Sequence, residues 1–141
     1  PGERAMTDSA MFYLIGTLYP LVARATYPAL GFPQYPGEAA TSAASDEIKA
    51  QAQKDAEAAL AEPLGAYERF FLDGRRFIGG DSPSIADIRL AATLEFLKAI
   101  DYEFPAWAPD YMRAVEEALG DAYSEPAADV RGFIESVKTP A

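Results

Sequence analysis

The sequence predicts an all-α fold, a helical bundle of about five helices. Two observations carry that expectation. Apolar residues recur at helical spacing in five stretches separated by Pro, Gly and Asp-Gly breaks, and no stretch reads as a strand. A third observation bounds it: 141 residues, 50% hydrophobic and 12% aromatic, make one domain, 1–141, able to bury a core without staples.

The first helix is expected over about 8–26, starting after Thr7 or Asp8. Its run AMFYLIGTLYPLVA is apolar on nearly every side, as in a helix enclosed by a bundle or by a partner surface. Pro20 removes one backbone bond and should kink it. Residues 27–45 read as a Pro/Gly/Ser-rich connection; the Tyr-Pro pairs at 19, 27 and 35 have different surroundings and form no repeat. The second helix, about Asp46 to Leu72, carries a stripe of Ile48, Ala52, Ala59, Leu60, Leu64, Tyr67 and Phe71, with Pro63 placed to split or bend it. DGRR at 73–76 is a turn.

The third helix starts at Ser84 and has apolar residues around its circumference, from Ile85 and Ile88 to Leu94 and Leu97, so it is expected at the centre. A fourth, about 106–119, places Tyr111, Val115 and Leu119 four apart and stops at Gly120. The fifth runs from Pro126, a residue suited to a first turn, to about Val137.

The entry to the third helix, FIGGDSPSIAD at 77–87, has unusually specific local chemistry. Ser84 can accept from an orphan amide of the first turn, and Asp87 can reach back to the Ser84 amide, a capping box. Pro83 and Ile88 stand at the positions of a hydrophobic staple. The expected role of Ser84 and Asp87 is structural, and the loss of Asp87 should cost about 0.5–2 kcal/mol, the range for a lost cap.

Composition narrows the chemistry. With no cysteine and no histidine, disulfides, thiolate catalysis, sulfur-ligated metals and the usual general base are excluded. The carboxylate spacing suggests no metal loop, so no metal is expected. Net charge is −10, of which −6 falls on residues 101–141, with nine acids against three bases. Such a surface repels phosphate backbones and anionic lipid, which argues against nucleic-acid and membrane roles. The uncharged stretch from Ser9 to Ala23, fifteen residues containing Gly16 and Pro20, falls short of a membrane span. Pro-Gly-Glu-Arg resembles no signal peptide, so a cytoplasmic location is expected. Starting at Pro rather than Met, the chain reads as processed or as a piece of a longer one.

The stretch YERFFLDGRRFIGGDSPSIADIRLAATLEFL resembles the C-terminal helical domain of the cytosolic glutathione transferase superfamily, bacterial type. There, a long helix ends in a turn, a short apolar segment and Gly precede a Ser/Thr-x-x-Asp box, and the buried core helix follows. Phe77, Ile78, Gly79, Ser84, Ala86, Asp87 and Ile88 carry the match. PAWAPDYMRAVEEA resembles the family's next helix, and GTLYPLVARATYP its first helix of this domain.

The resemblance implies an enzyme domain without its own catalytic residue. The family binds glutathione, its co-substrate, on an N-terminal thioredoxin-like domain, which this chain is expected to lack; the isolated chain is expected not to conjugate glutathione. The first helix lines the family's hydrophobic substrate pocket, which makes Tyr13, Tyr19, Arg24 and Tyr27 the candidate substrate-binding residues. Core packing is the competing reading for each tyrosine, and a solvated helix end for Arg24. Trp107 is expected to pack on the core helix, and Glu116 and Glu117, being adjacent, form no catalytic pair. The resemblance also implies a homodimer at full length. The alternative is a non-catalytic transferase-like module for protein assembly or ligand binding.

Overall fold

A computed structural model describes residues 2–33 and 45–139. Among these residues every regular element is a helix, with a single isolated bridge, Phe77 to Gly80, in place of any strand. The elements in order are α1 (Gly2–Tyr13), a π-helical segment (Leu14–Leu18), α2 (Tyr19–Leu30), α3 (Asp46–Ala59), α4 (Ala61–Ala66), a second π-helical segment (Tyr67–Leu72), α5 (Ile85–Glu95), a 3₁₀ segment (Phe96–Ile100), α6 (Trp107–Leu119) and α7 (Asp121–Lys138). They amount to five rods, with α1–α2 and α3–α4 each read as one expected helix.

The first rod is longer at both ends than the apolar run suggested, Gly2 to Leu30 rather than 8–26. Polar residues at its start are tolerated because that turn is mostly exposed. Its end is set by Gly31, whose φ of 67° allows the left-handed cap and lets the Phe32 amide donate to the Tyr27 carbonyl. The expected connection therefore begins near Gly31, and residues 34–44, including Tyr35, lie outside the described residues. In place of a simple kink at Pro20, the turn before it widens: the Tyr19 amide donates to the Leu14 carbonyl, a π-type bond. A proline ring crowds the carbonyl four residues back, and the wider turn accommodates both the ring and the missing N–H.

The second rod breaks at Leu60 rather than at Pro63, which sits inside α4. Its expected stripe holds only in part. Leu60, Leu64 and Tyr67 are buried, whereas Ile48, Ala52 and Ala59 are exposed. Ser45 caps α3, its hydroxyl accepting from the Ile48 amide at 3.4 Å. The buried Tyr67 hydroxyl donates to the Ala10 carbonyl at 2.7 Å, tying the second rod to the first.

The third rod is the axis of the bundle. α5 packs against α1, α2, α6 and α7, and Ala86, Leu90, Ala91 and Leu94 are buried on it. Ile85, expected inside, is exposed, while Ala86 and Asp87 beside it in the first turn are buried. α6 runs as expected, with Tyr111 and Val115 buried. α7 starts five residues earlier than expected, at Asp121, so Pro126 stands inside the helix rather than in its first turn. Gly120, at φ 57°, both ends α6 and leads into α7; no polar cap is needed for a start at that exposed corner.

 Leu30, Ala99 and Ile134 form a separate small cluster under the end of α2, with Phe96, Val130 and Val137 against it.

Candidate functional site

The most completely bonded polar group in the bundle is the Asp87 carboxylate, which is 0% exposed. The capping box between Ser84 and Asp87 is formed, and the Ser84 amide and hydroxyl each donate to Asp87 Oδ2 at 2.8 Å. The carboxylate does more than cap a helix. It also accepts from the Gly79 amide at 3.0 Å, the Ile78 amide at 2.7 Å and the Tyr111 hydroxyl at 2.8 Å. One side chain thus joins the 77–80 segment, α5 and α6. Gly79 is required by packing rather than by torsion: a Cβ there would stand 2.5 Å from the Ser82 carbonyl oxygen and 2.9 Å from the Ser84 amide nitrogen. Burial, followed by the Asp87 charge, pushes the Tyr111 hydroxyl far up, so it serves as a donor. All of Asp87's neighbours are donors that hold it in place, and the arrangement is structural.

The four candidate substrate residues fall into two groups on the first rod. Tyr19 and Tyr27 come together, their hydroxyls 2.8 Å apart. Tyr27 meets Phe32 edge to face at 5.3 Å, and Phe32 stacks on Phe133 of α7 at 5.7 Å with an interplanar angle of 11°. The result is an aromatic wall built from both ends of the chain, with Phe32 and Phe133 partly exposed. Arg24 lies on α2 between the two tyrosines and is half-buried, six residues before the helix ends at Leu30, so it is not a solvated helix end.

Tyr13 belongs to a different cluster. Its ring meets Tyr67 at 5.7 Å and Phe71 at 5.5 Å, where the end of α1 meets the second π-helical segment. Burial raises its hydroxyl pKa, the Glu62 charge adds to the shift, and the Arg69 charge opposes it. Tyr13 stands six residues before Tyr19 on the same rod, and its ring contacts are with Tyr67 and Phe71.

A third constellation was not legible in the sequence. Glu95, on the central helix and 2% exposed, accepts from Arg131 Nε at 3.1 Å and Nη2 at 2.6 Å. Lys98 Nζ donates to the same carboxylate at 2.6 Å. The other edge of the Arg131 guanidinium forks onto Glu116 at 3.0 and 2.8 Å. Glu95, Glu116 and Arg131 lie far apart in sequence, and no local spacing relates them. Arg131 hydrogen bonding holds the Glu116 carboxyl below the usual range, outweighing its partial burial. Trp107 packs on Tyr111, centroids 5.6 Å apart, consistent with a core role.

Among the described residues no group of His, Cys, Asp or Glu is placed to hold a metal ion, and no helix is long and apolar enough to cross a membrane.

The all-helical bundle and the capped central helix define a class, and the comparisons with known proteins place the chain within it. The family model described as glutathione S-transferase, C-terminal domain, matches residues 43–117, just over half of the chain. The chain belongs to that family. The match includes the Ser84–Asp87 box, the central helix and α6. Comparison with the solved structures finds no match.

Proposed function

We propose that this chain is the substrate-pocket domain of a glutathione S-transferase-like protein, and that the full protein conjugates glutathione to electrophilic, largely apolar substrates. Family membership and the aromatic wall of Tyr19, Tyr27, Phe32 and Phe133 support this reading. The wall is the observation that carries it: partly exposed ring faces fixed in orientation suit an apolar electrophile.

In this reading glutathione is the co-substrate and sits on a thioredoxin-like domain outside these 141 residues. Its thiolate attacks the electrophilic carbon, a C–S bond forms, and the leaving group departs with its electron pair. The helical domain contributes proximity and a dry surface rather than a reacting group. Tyr19 and Tyr27 hold each other's rotation through the shared hydrogen bond, Arg24 stands between them, and Tyr13 borders a second aromatic surface. Homodimerisation at full length and a cytoplasmic role in detoxification belong to the same proposal.

An aromatic halide tests it in two measurements on the full chain. Conjugation of glutathione should not exceed the uncatalysed background, and robust turnover by the chain alone would refute the division of labour. Quenching of protein emission should report binding of the halide, weakened in Tyr27→Ala; unchanged binding in that variant removes the wall from the site. The alternative is a non-catalytic module for protein assembly or ligand binding; its assembly form draws on the exposed Phe12, Ile15 and Phe70 and predicts no halide binding at all.

A further inference from the structure

The Arg131 cluster borders a cleft of about 210 Å³ between the end of the central rod, α6 and α7. Its lining combines the apolar Phe104, Pro109 and Met112 with the charged Glu95, Lys98, Arg113, Glu116 and Arg131.

Each oxygen of Glu95 and Glu116 accepts at least one bond, from Arg131 or Lys98. Lys98 directs one of its three N–H groups to Glu95, and among the described residues Arg113 bonds the exposed Asp110, so both cations keep donors to spare. That surface pair is weak enough for a competing anion to displace. Beside the cluster, though not lining the cleft, the Tyr123 hydroxyl is buried with no hydrogen-bond partner among the described residues; the residue is 6% exposed and near enough to Glu95, Arg131 and Glu116 to feel their charges. The cleft thus combines the spare donors of Lys98 and Arg113 with apolar lining, on a protein of net charge −10.

We propose that this cleft binds a small amphipathic carboxylate, its head on Lys98 and Arg113 and its apolar body against Phe104, Pro109 and Met112. Charge-assisted bonds from Lys and Arg supply the recognition, and the Glu95–Arg131–Glu116 network holds Lys98 in position. The volume lies below the roughly 300–1,000 Å³ of drug-sized pockets, which limits the ligand to a single ring or short chain. The proposal is independent of the aromatic wall and of glutathione conjugation.

The test uses benzoate as the probe and ¹⁵N-labelled full chain. Titration should shift the amide resonances of Lys98, Met112 and Arg113 saturably, and the emission of Trp107, the only tryptophan, should follow the same curve. Benzyl alcohol, of similar shape without the charge, should bind at least about tenfold more weakly, as expected for a lost charge-assisted bond. Lys98→Met should weaken benzoate to a similar degree. Arg113→Met, which leaves the Glu95 network intact, decides the matter if Lys98→Met perturbs folding: it too should weaken benzoate while the unfolding midpoint stays unchanged. Absence of saturable shifts, equal binding of the two probes, or unchanged benzoate affinity in Arg113→Met would overturn the proposal.

Discussion

Replacing Asp87 with Ala should be far more damaging than the loss of a helix cap. A lost cap costs about 0.5–2 kcal/mol. Here the same carboxylate also satisfies the Ile78 amide and the Tyr111 hydroxyl, both in buried hydrogen bonds. Each buried donor left without a partner costs about 1–3 kcal/mol. The Gly79 and Ser84 donors are partly accessible, and water can replace their bonds. The total is about 2.5–8 kcal/mol, a large share of the 5–15 kcal/mol typical of a whole domain. In urea, with a slope of about 2 kcal/mol/M, a 4 kcal/mol loss moves the midpoint down by about 2 M.

A companion variant sharpens the test. Tyr111→Phe in the native background removes one hydrogen bond and should cost about 1 kcal/mol. In the Asp87→Ala background it removes an orphaned hydroxyl, so it should be neutral or stabilising. A loss below about 2 kcal/mol for Asp87→Ala, or the same effect of Tyr111→Phe in both backgrounds, would refute the reasoning and reduce Asp87 to a simple cap.

Three further outcomes are expected. Gly79→Ala should destabilise by about 1–3 kcal/mol in the same urea assay, because the added methyl meets backbone at Ser82 and Ser84 rather than a movable side chain. Arg131→Met should cost about 3–5 kcal/mol, since it leaves the buried Glu95 with Lys98 alone; Arg131→Lys should recover only part of this, an ammonium being unable to fork across two carboxylates. The folded-state pKa of Glu116 is depressed, chiefly by its bonds to Arg131, so its contribution is present above the ordinary carboxylate pKa and lost as pH falls through the folded value. Glu116→Gln should therefore flatten the acid side of the stability–pH curve measured by urea midpoints, with the difference from the native chain vanishing at the lowest pH.

What could be read from the sequence was whatever depends on neighbours along the chain. The Ser84-x-x-Asp87 spacing and the Gly120 stop are local and survive in the structure, and α5 is central as its apolar residues implied, although Ile85 faces outward. Helix ends were less legible. Gly31 and Gly120 set them through backbone torsion, while the apolar pattern pointed to Thr26 and Pro126. The tertiary structure alone decided which ends of the chain meet. It brought Phe133 onto Phe32, separated Tyr13 from the Tyr19–Tyr27 pair, and placed Arg131 between Glu95 and Glu116. Those partners stand on different rods, and helical periodicity says which face a residue occupies but not which face lies opposite. The same holds at Asp87: the box could be read from four consecutive residues, whereas the Tyr111 hydroxyl that makes the carboxylate a junction arrives only when α6 packs against α5.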